Sequence, residues 1–222
     1  YAFSNLQDLL NFFRTGEFPE IESEEEVKTE PDDISLDLVD IAGQESARSA
    51  IEIAAVGGHH CLLFGPPGTG KTMLAERIPT ILPPLTDLEA LEVAALHSIA
   101  GRFQSSILKD KLPPYIAPHH SITIPAMIGG GRSVQPGAIS LAHKGVIFID
   151  EAPESSKALL ESLREPLESK SVTISRFTGT ITYPADFLLV LAANPCPCGR
   201  YSGRGLNCQC SQSAIRKYLN RI

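Results

Sequence analysis

The sequence predicts an α/β fold in which helices sandwich a parallel sheet, and three stretches carry that prediction. The apolar run Cys61-Leu62-Leu63-Phe64 leads into Gly65-Pro66-Pro67-Gly68-Thr69-Gly70-Lys71-Thr72 and then into a helix-like run from Met73 to Ile78. Gly145 is followed by Val146-Ile147-Phe148-Ile149 and then by Asp150-Glu151. Phe187 to Ala193 is a third apolar run, ending in Asn194-Pro195. Short apolar runs without alternation, rich in β-branched residues, fit strands buried on both faces, as in a parallel sheet. Polar residues at the C-terminal ends of such strands lie where open α/β sheets bind ligands.

Composition sets the bounds. A chain of 222 residues, 43% hydrophobic and 20% charged, can bury a full core. It contains no run of 18 apolar residues and no signal-peptide pattern, so the expectation is a cytoplasmic protein without a membrane partner. Tyr1 is not a natural start, which reads as a piece of a longer protein. The net charge of −7 is local: nine acidic residues and one lysine fall between Glu17 and Asp33, leaving 18 basic and 17 acidic residues elsewhere. The near-neutral body neither supports nor excludes nucleic acid as a partner.

In chain order, residues 4 to 16 pattern as a short amphipathic helix, with Ser4 as N-cap and Gly16 as stop. Residues 1–16 then form the tail of a preceding domain, 17–35 an acidic linker, and 36–222 the globular body. Asp40 to Gln44 is a turn into a helix over 45–56, and the helix after the phosphate loop ends before Pro79. Thr86 caps a helix to about Ile99, stopped by Gly101. Residues 102–137 read as irregular, with Gly129-Gly130-Gly131 a mobile loop, followed by a short helix at 138–143. A helix over 155–168, a hairpin from Val172 to Tyr183 about Gly179, and a final helix from Ser213 to Leu219 complete the reading.

The chemistry begins at Gly65 to Thr72, which fills every fixed position of a phosphate-binding loop between a strand and a helix. Glycines let successive N–H groups converge on an anion. Lys71 supplies a point charge for the β- and γ-phosphates and Thr72 a hydroxyl for Mg²⁺. Asp150 complements Thr72 at a hard cation that takes oxygen ligands. Glu151, one residue on, can polarise an attacking water. Asn194 can hold both the γ-phosphate and that water, or be a turn former before Pro195. Cys196, Cys198, Cys208 and Cys210 form two close pairs. Four thiolates suggest a structural Zn²⁺ site, although one residue between paired ligands is tighter than the usual two to four; free thiols are the alternative. Cys61 reads as core. His119-His120 read as structural or surface residues. Arg132, Lys170 and Arg176 are candidates for phosphate contacts if a polymer is threaded, with ordinary solvated charge as the alternative.

With these residues in hand, the chain resembles the AAA+ ATPases, and within them the magnesium-chelatase-like proteins of ComM/YifB type, over roughly residues 36–222. Gly65 to Thr72 looks like Walker A, Ile147 to Glu151 like Walker B, and Asn194 like the sensor-1 residue. Asp40 to Gln44, with Ile41 and Gly43, resembles the segment lining the adenine pocket, and Met73 closes the nucleotide-binding set. The subfamily is marked by Ala117-Pro118-His119-His120, Gly129 to Gly131, Gly137 to Ala142 and Asn194 to Gly199. The resemblance implies a P-loop NTPase core of about five parallel strands. It also implies a helix-2 insertion at 122–137 and a pre-sensor-1 hairpin at 172–183, both facing the pore of a ring, usually a hexamer. It implies ATP and Mg²⁺ as ligands and, in ComM-type members, ATP-driven DNA translocation as in branch migration. In chelatases the same module drives Mg²⁺ insertion into a porphyrin; a nucleotide-dependent switch or chaperone for a protein is the third reading. The family's arginine finger and lid are expected beyond Ile222. A finger is worth about 10³–10⁵ in rate in related enzymes, so these residues alone are expected to bind nucleotide, turn it over poorly and stay mostly monomeric.

Overall fold

The computed structural model describes residues 12–15, 36–131, 134–176, 179–201 and 208–222. Residues 12–15 are a helical turn, while the rest of the N-terminal helix and the acidic stretch lie outside the described residues. Leu36 to Ile222 is one compact unit.

Its centre is a four-stranded sheet, all parallel, in the order β1 (Cys61–Phe64), β8 (Leu188–Ala193), β5 (Val146–Ile149), β2 (Tyr115–Ile116). The helices are α1 (Glu45–Gly57), α2 (Lys71–Glu76), α3 (Ile78–Ile81), α4 (Asp87–Ile99), α5 (Ser106–Asp110), α6 (Ile124–Ile128), α7 (Ala138–Leu141), α8 (Lys157–Ser162), α9 (Arg164–Ser169) and α10 (Gln212–Leu219). Two antiparallel pairs stand outside the main sheet: β3 (Gly129–Gly130) with β4 (Gln135–Pro136), and β6 (Ser171–Arg176) with β7 (Gly179–Pro184).

The alternation of β5 explains its unbroken hydrophobicity. Val146 and Phe148 pack in one core with Leu38, Ile51, Leu74 and Ile78, whereas Ile147 and Ile149 pack in the other with Met127, Ile139, Leu159 and Leu163. Each face of the strand is thus sealed by helices, and polar alternation has no place in it. β1, at the sheet edge, is less covered: Leu62 is 47% and Phe64 56% exposed. Register places the functional strand ends together. Phe64 pairs with Ala193, and Ile149 with Leu191, so Gly65, Asp150 and Asn194 all follow strands at one end of the sheet.

Several expectations are corrected. Four parallel strands are present among the described residues where about five were expected. The helix after the phosphate loop does not end before Pro79: it breaks at Arg77, and Pro79 lies in the first turn of α3, where its missing N–H costs nothing. The stretch 155–168 is likewise two helices, α8 and α9, broken at Leu163, with Pro166 inside α9. The region 102–137 is not irregular: it holds α5, β2, α6 and the β3–β4 pair. Gly129 and Gly130 are paired residues with φ of 119° and 139°, available to glycine. A Cβ on Gly129 would come within 2.7 Å of both the Gln135 carbonyl and Ile174 Cδ1, so glycine there lets the two hairpins pack against each other. The caps of α4 were legible: Thr86 and Glu89 form a reciprocal capping box.

Candidate functional site

The phosphate loop starts tied to the sheet, the Gly65 N–H donating to the Ala193 carbonyl at 3.1 Å. Gly68 and Gly70 have φ of 78° and 79°, the left-handed region that favours glycine. Inside the loop, the Thr69 hydroxyl donates to the Pro66 carbonyl at 2.8 Å. From outside, Gln44 Nε2 donates to the Thr69 carbonyl at 2.8 Å. A Cβ on Gly70 would lie 2.8 Å from that same Gln44 nitrogen, so any larger residue would displace the Gln44 side chain as well as strain the positive φ.

Lys71 opens α2 and turns back under the loop. Its Nζ donates to the Gly65 carbonyl at 2.7 Å, the Pro66 carbonyl at 2.9 Å and the Asn194 side-chain oxygen at 3.1 Å. All three ammonium protons are thereby aimed by neutral acceptors. Burial pushes the lysine's pKa down, and Asp150 and Glu151 pull it back up. Among the described residues no ion pair neutralises it, which leaves a positioned charge for an anion.

Asp150 and Glu151 arrive at the end of β5. The Thr72 hydroxyl donates to Asp150 Oδ2 at 3.1 Å, and the Glu151 N–H donates to Asp150 Oδ1 at 2.8 Å. A hydroxyl and a carboxylate oxygen within hydrogen-bond distance form the hard-oxygen pair that Mg²⁺ takes alongside waters and phosphates, so the donor set fits that ion. Glu151 adopts a left-handed backbone, φ 49° and ψ 42°, a conformation that costs a non-glycine residue energy. Its carboxylate lies 3.4 Å from His120 Nδ1.

A cavity of about 380 Å³ opens over the loop, and Pro67 to Met73, Asp150, Glu151 and Asn194 all line it. A larger cavity, about 690 Å³, lies between β2 and the β3–β4 pair, but no carboxylate or lysine lines it. Chemistry, not size, identifies the site.

Of the residues singled out by sequence, Lys71, Thr72, Asp150, Glu151 and Asn194 converge. Ile41 and Gly43 do not line this cavity: Ile41 is buried against the α1 and α2 side of the core, and Gly43 turns the chain with φ 72° before Gln44. Lys170 stands elsewhere, 3.1 Å from Asp186, which precedes β8 at the far end of the sheet. Arg176 ends β6 with its guanidinium beside the Gly130 backbone. Arg132 lies outside the described residues. His60 Nδ1 accepts from the Leu189 N–H, and His143 Nδ1 from the Asp186 N–H, which makes both structural.

The cysteines do gather. The Sγ atoms of Cys196, Cys198, Cys208 and Cys210 all lie within 4.8 Å of one another. The Arg200 backbone N–H and the Cys196 thiol pull the Cys198 thiol down to about 6. Cys61 is half-buried on β1.

Sequence reading missed the role of His120 and the short strand β2. His120 read as structural or surface yet faces Glu151; its only signal was the Ala117-Pro118-His119-His120 motif. Gln44, which closes the Asp40 to Gln44 segment singled out by sequence, reaches the loop from 25 residues upstream. Tyr115 and Ile116 are too short a strand to announce themselves by pattern.

Comparison with known proteins gives the family. The family model described as magnesium chelatase, subunit ChlI, matches residues 37–222. Protein YifB of Escherichia coli is 50% identical over 187 residues, covering 84% of this chain and 36% of that protein. Competence protein ComM of Haemophilus influenzae is 48% identical over 188 residues, covering 85% and 36%. The chain thus spans about a third of the length of these curated relatives. A chain of the magnesium chelatase BchI–BchD complex, from a single-particle cryo-EM reconstruction, shares the fold with a TM-score of 0.54 at 24% identity, covering 70% of this chain and 53% of that one. No described helix is long and apolar enough to cross a membrane. The chain belongs to the magnesium chelatase subunit ChlI family and carries its AAA+ P-loop fold.

Proposed function

We propose that residues 36–222 are the ATPase core of a ring-forming AAA+ motor that hydrolyses Mg²⁺-ATP to remodel or translocate DNA. The observation that carries the ATP reading is the convergence on one cavity of Lys71, bound to Asn194, and Thr72, bound to Asp150. Lys71 and the loop amides bind the phosphates. Thr72 and Asp150 hold Mg²⁺, which when bound supplies charge to offset that developing on the phosphoryl oxygens. Glu151 accepts the proton of the attacking water, and Asn194 orients that water against the γ-phosphate. ATP and water leave as ADP and phosphate.

His120 positions the Glu151 carboxylate at the edge of the cavity that Glu151 lines. In this reading residues 1–16 and 17–35 are a tail and a linker outside the motor, and assembly is a hexameric ring in the cytoplasm. The two hairpins, packed together through Gly129 and Ile174, form one unit that faces the substrate, with Arg176 on it. DNA is preferred as substrate because ComM, named for competence, is 48% identical. The second reading, an ATPase subunit serving a metal chelatase, is favoured by the family match itself.

The test is ATPase activity of the full-length protein with single-stranded DNA, branched DNA or chelatase partner subunits. Stimulation by DNA supports the first reading. Absence of stimulation by any DNA removes it, and stimulation by chelatase partners alone establishes the second.

A further inference from the structure

We propose that Cys196, Cys198, Cys208 and Cys210 bind one structural Zn²⁺, and that this ion staples the loop after β8 to the phosphate loop. The sulfur geometry carries the first half. Tetrahedral zinc takes thiolates at about 2.3 Å, which sets its sulfurs about 3.8 Å apart. Here Cys196 and Cys198 Sγ are 3.3 Å apart, Cys196 and Cys208 3.7 Å, and Cys198 and Cys208 3.6 Å. Cys210 completes the set within 4.8 Å. None of these pairs is a disulfide, which needs about 2.05 Å. Four sulfurs this close leave room for one ion among them. Soft thiolates in a tetrahedron select zinc over the hard cations of the phosphate site. One residue between paired ligands is short for a zinc motif, but the chain reverses between them: the Gly199 N–H donates to the Cys196 carbonyl at 2.9 Å.

The second half comes from what the quartet touches. Cys196 is fully buried and only two residues after Asn194, the amide bound to Lys71. Gly199, with φ 76°, lies so close to the phosphate loop that a Cβ there would be 2.9 Å from Pro67 Cδ. The segment 194–199 is therefore gripped by the cysteines while its flanks set the amide and brace Pro67. Removing the ion frees both contacts, so the metal acts on nucleotide binding without touching nucleotide. This half rests on the proposed ATP site; the metal site does not.

The experiment is elemental analysis of the purified chain, followed by zinc release with a mercurial reagent and nucleotide titration before and after. About one zinc per chain, released by the thiol reagent and reduced in Cys208→Ser and Cys210→Ser, is the expected result. Because a serine variant can fail to fold, cobalt exchanged into the native protein gives an independent reading: the visible absorption of a tetrahedral tetrathiolate site. Zinc removal is expected to weaken ATP binding about tenfold, the scale of one lost charge-assisted hydrogen bond, and zinc readdition to restore it. Iron in place of zinc, or metal-free protein with no cobalt spectrum, overturns the site. Unchanged ATP affinity after zinc loss overturns the staple. Failure of the zinc-loaded protein to bind ATP would overturn the proposed function and leave the metal result standing.

Discussion

The two ends of the central sheet use the same residue types to opposite purposes. At the end reached by Phe64, Ile149 and Ala193, Lys71 is aimed by two carbonyls and an amide, while Asp150 takes its bonds from Thr72 and the Glu151 N–H. At the other end the charges close on each other. Lys144 lies 3.0 Å from Asp186 and 3.4 Å from Glu89, and Lys170 lies 3.1 Å from Asp186. The pKa directions follow. Burial lowers Lys71, whereas the hydrogen bond to Asp186 raises Lys144. Burial pushes Asp186 up, but its bonds to Lys144 and Lys170 outweigh that and hold it below the usual carboxylate range. One end keeps charge available for a ligand at a cost to the fold; the other spends it on the fold. Stability and function are separated by the length of β5 and β8.

Substitutions can break this contrast. The largest effect is expected for Glu151→Gln, which keeps the shape of the side chain and removes the proposed base. ATP turnover by the full-length protein should fall by about 10²–10⁴, the range of general-base catalysis, with ATP affinity retained. Retained turnover would assign the base elsewhere. Phe148→Ala sharpens the comparison from the middle of the sheet: a buried ring on β5 is worth about 3–5 kcal/mol, readable as a lowered denaturation midpoint. Asp186→Asn should cost about 1 kcal/mol, the upper range for a partly exposed ion pair, and leave ATP affinity unchanged. A loss of ATP affinity would join the two ends that the comparison separates.

The sign with pH follows from the same pairs. Asp186 is depressed, so its contribution is present above its unfolded value of 3.8 and fades as pH falls through the lower folded value. Lys144 is raised, so its contribution is complete below 10.5 and fades as pH rises through the higher folded value. Thermal melting across pH should show the acid-side loss diminished in Asp186→Asn. The smallest effect is expected for His120→Ala, a severalfold change in kcat with KM unchanged, because His120 lies against Glu151 and the His119 ring and does not line the cavity over the phosphate loop. A change confined to KM would place His120 against the nucleotide instead.

Legibility followed range. Lys71, Thr72, Asp150 and Glu151 were readable because a phosphate loop must be contiguous and a buried parallel strand must be apolar to its end. The central strands, the α4 cap and the β6–β7 hairpin were readable for the same local reasons. β2 was not, being two residues held by pairing with Val146 and Ile147. His120 was not, because a histidine's partner across 31 residues leaves no periodic trace. The Gly129-Gly130 pair misled because a run of glycines looks like freedom, when here it permits the close approach of Gln135 and Ile174. The breaks at Arg77 and Leu163 were hidden because helical spacing continues across them.

The most direct measurement is calorimetric titration of the native chain and of Lys71→Ala with Mg²⁺-ATP, alongside a melting curve of each. Saturable binding at one site is expected in the native chain. Lys71→Ala should lose at least about tenfold in affinity, from the missing charge-assisted contacts, with stability unchanged or slightly higher, since burying that ammonium costs the fold. Equal affinity in the two proteins, or no binding by the native chain, would contradict a triphosphate bound where β1 turns into α2.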